Sequence, residues 1–350
     1  MIQGSPVVQI GVIVATVLGL WVGARLLVDS VVRLARRVGL SELTIGLTIV
    51  AAGTSTPELI VSTDAALGGF GDIAVGNIVG SNIYNLAFIL GVVSLVRVIP
   101  IERSLVHRDG VALVASALLG GAVLLDGTVS RLEGVVLVGL FAFYTAYLLR
   151  TGGEPSDGEP PSGTPTARTD RTGVSAAGEE SEAGADGTQA IPTALTERVA
   201  FRGRDVLLVT VGLLIVLVSG DLLVGAATSL ARGAGISEWV IGGTIVAAGT
   251  STPEFAVSLV AMRTGRIGVS VGNVVGSNVF NILGILGFAA ALRPLSVGPA
   301  ALETTAWLLG ISVLMVAALW TGRKLSRLEG GLFALSESVR WILGLLGLVG

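Results

Sequence analysis

The sequence predicts an all-α integral membrane protein with ten transmembrane helices in two inverted five-helix repeats. Three observations lead there. Of 350 residues, 52% are hydrophobic and only 13% charged, with a mean hydropathy of +0.84, so the bilayer is the solvent. Ten apolar segments of roughly 17 to 26 residues run along the chain, and a helix of about 20 residues crosses the hydrocarbon core. Residues 39 to 86 align without a gap to residues 235 to 282, with 28 of 48 positions identical, which shared apolar composition does not produce.

The first repeat, residues 1–150, holds segments near 7–30, 42–67, 73–96, 109–125 and 131–150. Segment 1 has neither the basic start nor the cleavage site of a signal peptide, so it reads as a helix that stays in the membrane. Segment 2 contains Gly53 and Pro57. Proline has no amide proton and its ring clashes with the carbonyl four residues back, which predicts a bend and a freed Gly53 carbonyl. Segment 3 aligns Asn77, Ser81 and Asn85 in a polar stripe, beside Gly76 and Gly80 at a spacing that permits close helix packing. Segment 4 starts behind His107, the single histidine, read as an ordinary interfacial residue.

Residues 151–203 are rich in Gly, Ser, Thr and Pro, with the acidic residues gathered between Glu154 and Asp186, and read as a hydrophilic, disordered linker. The second repeat, 204–350, holds segments near 204–228, 238–262, 268–292, 301–320 and 329–349. An offset of 196 residues returns the same devices as Gly249, Pro253, Gly272-Asn273, Gly276-Ser277-Asn278 and Asn281.

Five crossings is an odd number, so the second copy enters the membrane upside down. Loop charges agree. Arg33, Arg36, Arg37, Arg97, Arg103, Arg108, Arg150, Arg198, Arg202, Arg204, Arg263, Arg266, Arg323, Lys324 and Arg327 all fall on one side in this layout. The other side has Arg131, Arg232 and Arg293, with Arg340 near the C-terminal end. The positive-inside rule therefore predicts a cell-membrane protein with its linker in the cytoplasm and both termini outside. The offset also relates Arg25 to Asp221, opposite charges expected to meet as an intramembrane ion pair.

Glu58 and Glu254 lie within segments 2 and 7, where an ionised carboxylate costs roughly 2.5 to 3.5 kcal/mol at the bilayer centre. No Lys or Arg lies between Thr48 and Glu58 or between Thr244 and Glu254, so a cation, a proton or water is the expected partner. The helical period places Thr54 and Glu58 on one face with Ser55 beside them, and Thr250, Ser251 and Glu254 repeat the set. The chain has no cysteine, which excludes disulfides and thiolate metal sites. Carboxylate, hydroxyl, amide and carbonyl oxygens favour Ca²⁺, Na⁺ or Mg²⁺. Two glutamates balance one Ca²⁺, which sheds its water more readily than Mg²⁺.

In these residues the chain resembles the cation/calcium exchanger superfamily, whose two repeats carry a G-T-S-x-P-E and a G-S-N-x-x-N/D signature. Here they stand as Gly53 to Glu58 with Gly80 to Asn85, and as Gly249 to Glu254 with Gly276 to Asn281. The resemblance covers both repeats and the ten-helix plan, leaving out the linker. It implies that the side chains of Thr54, Ser55, Glu58, Ser81, Asn85, Thr250, Ser251, Glu254 and Ser277 line central ion sites. It also makes the backbone carbonyls of Ala51 and Ala247 Na⁺ ligands. Asn281 departs from the pattern, since many sodium/calcium exchangers have Asp there.

The expected activity is alternating-access antiport of Na⁺ against Ca²⁺, with segments 1 and 6, by resemblance, sliding across a fixed core. Ca²⁺ and Na⁺ are the transported substrates and the lipid bilayer the surroundings; neither a cofactor nor a nucleic acid is expected. A Ca²⁺/H⁺ exchanger on the same scaffold is the alternative, and a passive cation channel belongs to a different class. No phosphate-binding loop is present, and a serine hydrolase at Ser55 or Ser251 lacks a histidine base, so no enzyme is expected.

Overall fold

Glycines, a proline in each repeat and capping serines set where the helices stop. The structure, a computed structural model, describes residues 6–100, 105–153, 193–235, 247–322 and 324–345. The first repeat contains α1 (Pro6–Val38), the bent pair α2 (Glu42–Thr54) and α3 (Thr56–Gly68), α4 (Gly71–Val96), α5 (Val111–Val123) and α6 (Arg131–Thr151). The second contains α7 (Thr193–Gly233), α8 (Ala247–Thr250), α9 (Thr252–Arg263), α10 (Ile267–Leu292), α11 (Pro299–Gly322) and α12 (Arg327–Leu345). Helices α4 and α10 each contain a π-helical stretch, Tyr84–Ile89 and Phe280–Leu286.

Among the described residues six helices are long and apolar enough to cross a membrane, seven if the α2/α3 pair is one bent span. Three predicted crossings lie outside that set for separate reasons. α5 has 13 α-helical residues behind a π-helical stretch, Leu105–Gly110, that carries His107, Arg108 and Asp109. Residues 236–246 are outside the described residues. α12 carries Glu329, Glu337 and Arg340. The predicted linker also lies mainly outside the described residues, at 154–192. Residues 193–203, placed in the linker on sequence grounds, belong to α7.

Two small sheets tie the halves together. β1 (Ile99–Pro100) pairs antiparallel with β4 (Lys324–Leu325), and β2 (Thr128–Val129) pairs antiparallel with β3 (Leu295–Ser296). The 196-residue offset carries β1 onto β3 and β2 onto β4, so one sheet is the image of the other. The same offset relates the starts of α6 and α12. Ser130-Arg131-Leu132-Glu133-Gly134 recurs as Ser326-Arg327-Leu328-Glu329-Gly330, and both copies form a capping box in which serine and glutamate satisfy each other's backbone amides.

The arginine-rich connections meet on one face. Leu40 bridges Gly153, the Ser41 amide donates to the Gly152 carbonyl at 2.9 Å, and Arg266 Nη1 donates to Glu42 Oε1 at 3.1 Å. Arg97 lies against Gly265 on that face. On the opposite face Arg293 Nη1 donates to the Leu67 carbonyl at 2.6 Å, and the Gly298 amide donates to Asp72 Oδ1 at 2.7 Å. Gly69 and Gly265 have φ of +86° and +79°, a left-handed conformation that ends each helix under an arginine from the other repeat.

Helices α4 and α10 form the centre, with 78% and 83% of their apolar windows buried, against 28% for α1 and for α7. The latter two pack on each other antiparallel. A Cβ at Gly23 would lie 3.0 Å from the Val216 amide, and one at Gly212 would lie 2.7 Å from the Leu27 amide, so the backbones approach closely where glycine permits. This register overturns the expected Arg25–Asp221 pair. Offset-related positions face each other only near residue 21 of α1, which leaves Arg25 and Asp221 displaced in opposite directions, about 12 Å apart along the axis. Both are exposed, and the Arg25 guanidinium sits 5.4 Å from the Trp21 ring centroid. The His107 ring packs against Trp320 at a tilt of 49°, with ring centroids 4.8 Å apart.

The charge that does join α1 to α7 is Asp205, 3% exposed, which meets Arg33 Nε at 3.2 Å and Arg37 Nη1 at 2.7 Å. Both arginines are partly solvated, so Asp205→Ala removes a staple without stranding a buried charge and lowers stability by about 1–2 kcal/mol. Replacing both arginines by alanine leaves the carboxylate buried and unpaired, for a loss of about 3–5 kcal/mol. Thermal unfolding of the purified variants checks that order, and an equal loss for both contradicts it.

Candidate functional site

The bend between α2 and α3 positions the first half of the site. The two helices meet at 48°, with the break at Ser55 and Pro57 in the first turn of α3. Ser251 and Pro253 repeat the break ahead of α9. The freed Gly53 carbonyl does not stay open, contrary to expectation: the Thr56 hydroxyl donates to it at 2.8 Å. A threonine three residues on is placed by the helix itself to take it.

Glu58 and Glu254 are both 0% exposed. Ser251 Oγ donates to Glu58 Oε1 at 2.9 Å, and Ser55 Oγ donates to Glu254 Oε1 at 2.8 Å. Each repeat thus supplies a hydroxyl to the other repeat's carboxylate, and four candidate residues converge on one point between the halves. Among the described residues no lysine or arginine forms a salt bridge with either glutamate.

Around them lies a second circle of amides. Thr54 Oγ1 donates to Asn273 Oδ1 at 3.0 Å. Asn273 Nδ2 in turn donates to Ser258 Oγ at 3.0 Å and to the Glu254 carbonyl at 3.3 Å. Asn77 Nδ2 makes the matching bonds to Ser62 Oγ at 2.9 Å and to the Glu58 carbonyl at 3.5 Å. Ser62 and Ser258 are absent from the sequence-predicted set, although each stands one further helical turn beyond its glutamate on the same face and recurs at the 196-residue offset. Deeper in, Asn281 Nδ2 donates to Asn82 Oδ1 at 2.9 Å and Asn82 Nδ2 to the Asn278 carbonyl at 3.0 Å, joining α4 to α10.

Several buried polar atoms have no protein partner: Glu58 Oε2, Glu254 Oε2, Thr250 Oγ1, Ser277 Oγ, Asn281 Oδ1 and both polar atoms of Asn85. Ser81 is buried on the same helix as Asn85, and no hydrogen bond ties it to the glutamates. The Ala51 carbonyl accepts the Ser55 amide at 3.0 Å, as an ordinary helical carbonyl does, and Ala247 opens α8. An unpartnered buried oxygen carries a large desolvation penalty, and six of these atoms are oxygens, two on the carboxylates and four on neutral side chains, a donor set suited to a hard cation. Among the described residues no group of three or more His, Cys, Asp and Glu gathers, so neutral oxygens must complete any coordination shell.

Helix α10 sits directly on the backbone of α2. A Cβ added at Gly272 would meet the Leu43 carbonyl at 2.6 Å, and one at Gly276 the Leu47 carbonyl at 2.5 Å.

The sequence pattern described as sodium/calcium exchanger protein matches residues 8–150 and 205–336, on both sides of the linker. The chain belongs to this family. Its members are exchangers, so the family is one of transporters and not of enzymes. The chain is 30% identical to the sodium/calcium exchanger MaX1 of Methanosarcina acetivorans, with 88% of this chain and 90% of that one covered. It is 33% identical to the inner membrane protein YrbG of Escherichia coli, covering 77% and 75%. Its fold is similar to the sodium-calcium exchanger NCX_Mj, with a TM-score of 0.77, 26% identity and 96% and 98% coverage. Membership makes the chain a multi-pass membrane protein of the cation-exchanging kind.

Proposed function

We propose that the protein is a secondary antiporter that exchanges Na⁺ for Ca²⁺ by alternating access, with both ions bound in turn around Glu58 and Glu254. The supporting observation is the reciprocal pairing of Ser55 with Glu254 and of Ser251 with Glu58, which leaves one bare oxygen on each buried carboxylate. Two carboxylates balance one Ca²⁺, and Thr54, Ser81, Asn85, Thr250, Ser277 and Asn281, with the Ala51 and Ala247 carbonyls, supply neutral oxygens for Ca²⁺ or Na⁺. The exchanger MaX1 and NCX_Mj are named for this pair of ions.

In the same reading the chain crosses the cell membrane ten times as two inverted repeats, 1–150 and 204–350. The arginine-rich face and the linker lie in the cytoplasm and both termini outside. The energy source is the ion gradient alone.

Reconstituted vesicles test the coupling. Ca²⁺ uptake driven by an outward Na⁺ gradient at fixed pH is the expected result. Uptake that needs only a pH gradient replaces Na⁺ by H⁺ as the coupling ion. Flux that neither saturates nor shows counterflow replaces the exchanger by a channel.

A further inference from the structure

Away from the central site, a cavity of about 370 Å³ opens between α11 and α12, lined by Glu303, Thr304, Trp307, Ser336, Val339, Arg340 and Leu343. α11 starts at Pro299 and α12 ends at Leu345, both on the face opposite the arginine-rich connections, so the cavity lies near the membrane surface there. Glu303 stands above Trp307 on α11, and Arg340 and Leu343 stand above Ser336 on α12. Glu303 is therefore nearer the mouth than Trp307, and Arg340 is level with Val339, between Ser336 below and Leu343 above, so charged and apolar groups face one another in the interfacial layer.

Glu303 and Arg340 line one cavity yet form no ion pair with each other. Arg340 is held in place instead by Glu337, 1% exposed, through Nε at 2.8 Å and Nη2 at 2.6 Å, which leaves Nη1 for a ligand. Glu303 is exposed and accepts no hydrogen bond from a described residue. The equivalent positions of the first repeat show what the cavity requires. Val339 and Leu343 replace Phe143 and Tyr147, Arg340 replaces Tyr144, and Glu303 replaces His107. Smaller side chains clear the space, and two opposite charges appear at its rim.

We infer that this cavity binds the headgroup of a zwitterionic aminophospholipid, its phosphate on Arg340 and its primary ammonium on Glu303, with the first acyl methylenes along Trp307 and Val339. Arginine suits phosphate oxygens, and an ammonium donates a charge-assisted hydrogen bond to carboxylate. An anionic headgroup without an amine leaves Glu303 facing like charge, and a trimethylammonium has no proton to donate.

The test is native mass spectrometry of the full-length protein with phosphatidylethanolamine, phosphatidylglycerol or phosphatidylcholine of matched chains. Retention of the ethanolamine lipid roughly tenfold above the others is expected, the scale of one charge-assisted hydrogen bond. Glu303→Gln, an exposed position, should erase the preference while leaving thermal unfolding in detergent unchanged. Val339→Phe with Leu343→Tyr, which transplants the first repeat's aromatics, should lower retention of all three lipids. Equal retention of the three lipids by the parent protein, a preference for phosphatidylglycerol, or a preference that survives both variants overturns the assignment.

Discussion

Glu58→Gln, in full-length protein reconstituted into vesicles, abolishes Ca²⁺ flux under a Na⁺ gradient while the protein still folds. Glutamine keeps the shape of the side chain, and its amide oxygen still accepts from Ser251 Oγ, so the bond that joins the repeats at 2.9 Å survives. What disappears is one of two negative charges at a site where no described lysine or arginine pairs with them. A unit pair 4 Å apart at an effective dielectric constant of about 20 interacts by about 4 kcal/mol, and a divalent ion at coordination distance exceeds that. The expected loss of Ca²⁺ affinity is therefore at least a thousandfold. Glu254→Gln should match it, because Ser55 and Glu254 repeat the same geometry at 2.8 Å. Ser55→Ala keeps both charges and removes one donor, so it should fall far short of either. Flux measurements at saturating Ca²⁺ together with thermal unfolding separate ion binding from folding, and wild-type exchange in either glutamine variant removes these residues from the mechanism.

Much of this geometry was legible in the sequence because it depends on repetition and depth. A glutamate in an apolar segment with no cationic neighbour must find its partner elsewhere, and the duplicated string around Glu58 and Glu254 said where. Equivalence under a repeat is not contact, however. The 196-residue offset made Arg25 and Asp221 mates, but two antiparallel helices bring mates together only at their crossing, and that point is set by Gly23 and Gly212. The alignment over residues 39 to 86 also stops before Ser130 to Gly134, so the duplicated capping box goes unread although all five residues recur. The Gly53 carbonyl followed a different logic. Proline chemistry freed it, and the Thr56 hydroxyl, whose reach is a matter of rotamer, took it. By sequence Asn77 and Asn273 stand in a polar stripe that either faces an ion or joins helices. Their bonds to Ser62, Ser258 and the two glutamate carbonyls make them supports that hold each glutamate's backbone.

Gly272→Ala should destabilise the protein although it adds a single methyl group. At Gly272 the new methyl meets backbone, the Leu43 carbonyl at 2.6 Å and the Leu47 amide at 2.9 Å, so no rotamer change relieves it and α2 must move away from α10. Overpacking of this kind costs about 1–3 kcal/mol, and the unfolding temperature should fall with it. Thermal unfolding of the variant beside the parent protein checks this. An unchanged unfolding temperature would mean that α2 yields to the methyl without loss, and that the close approach of the two backbones is not what holds α2 against α10.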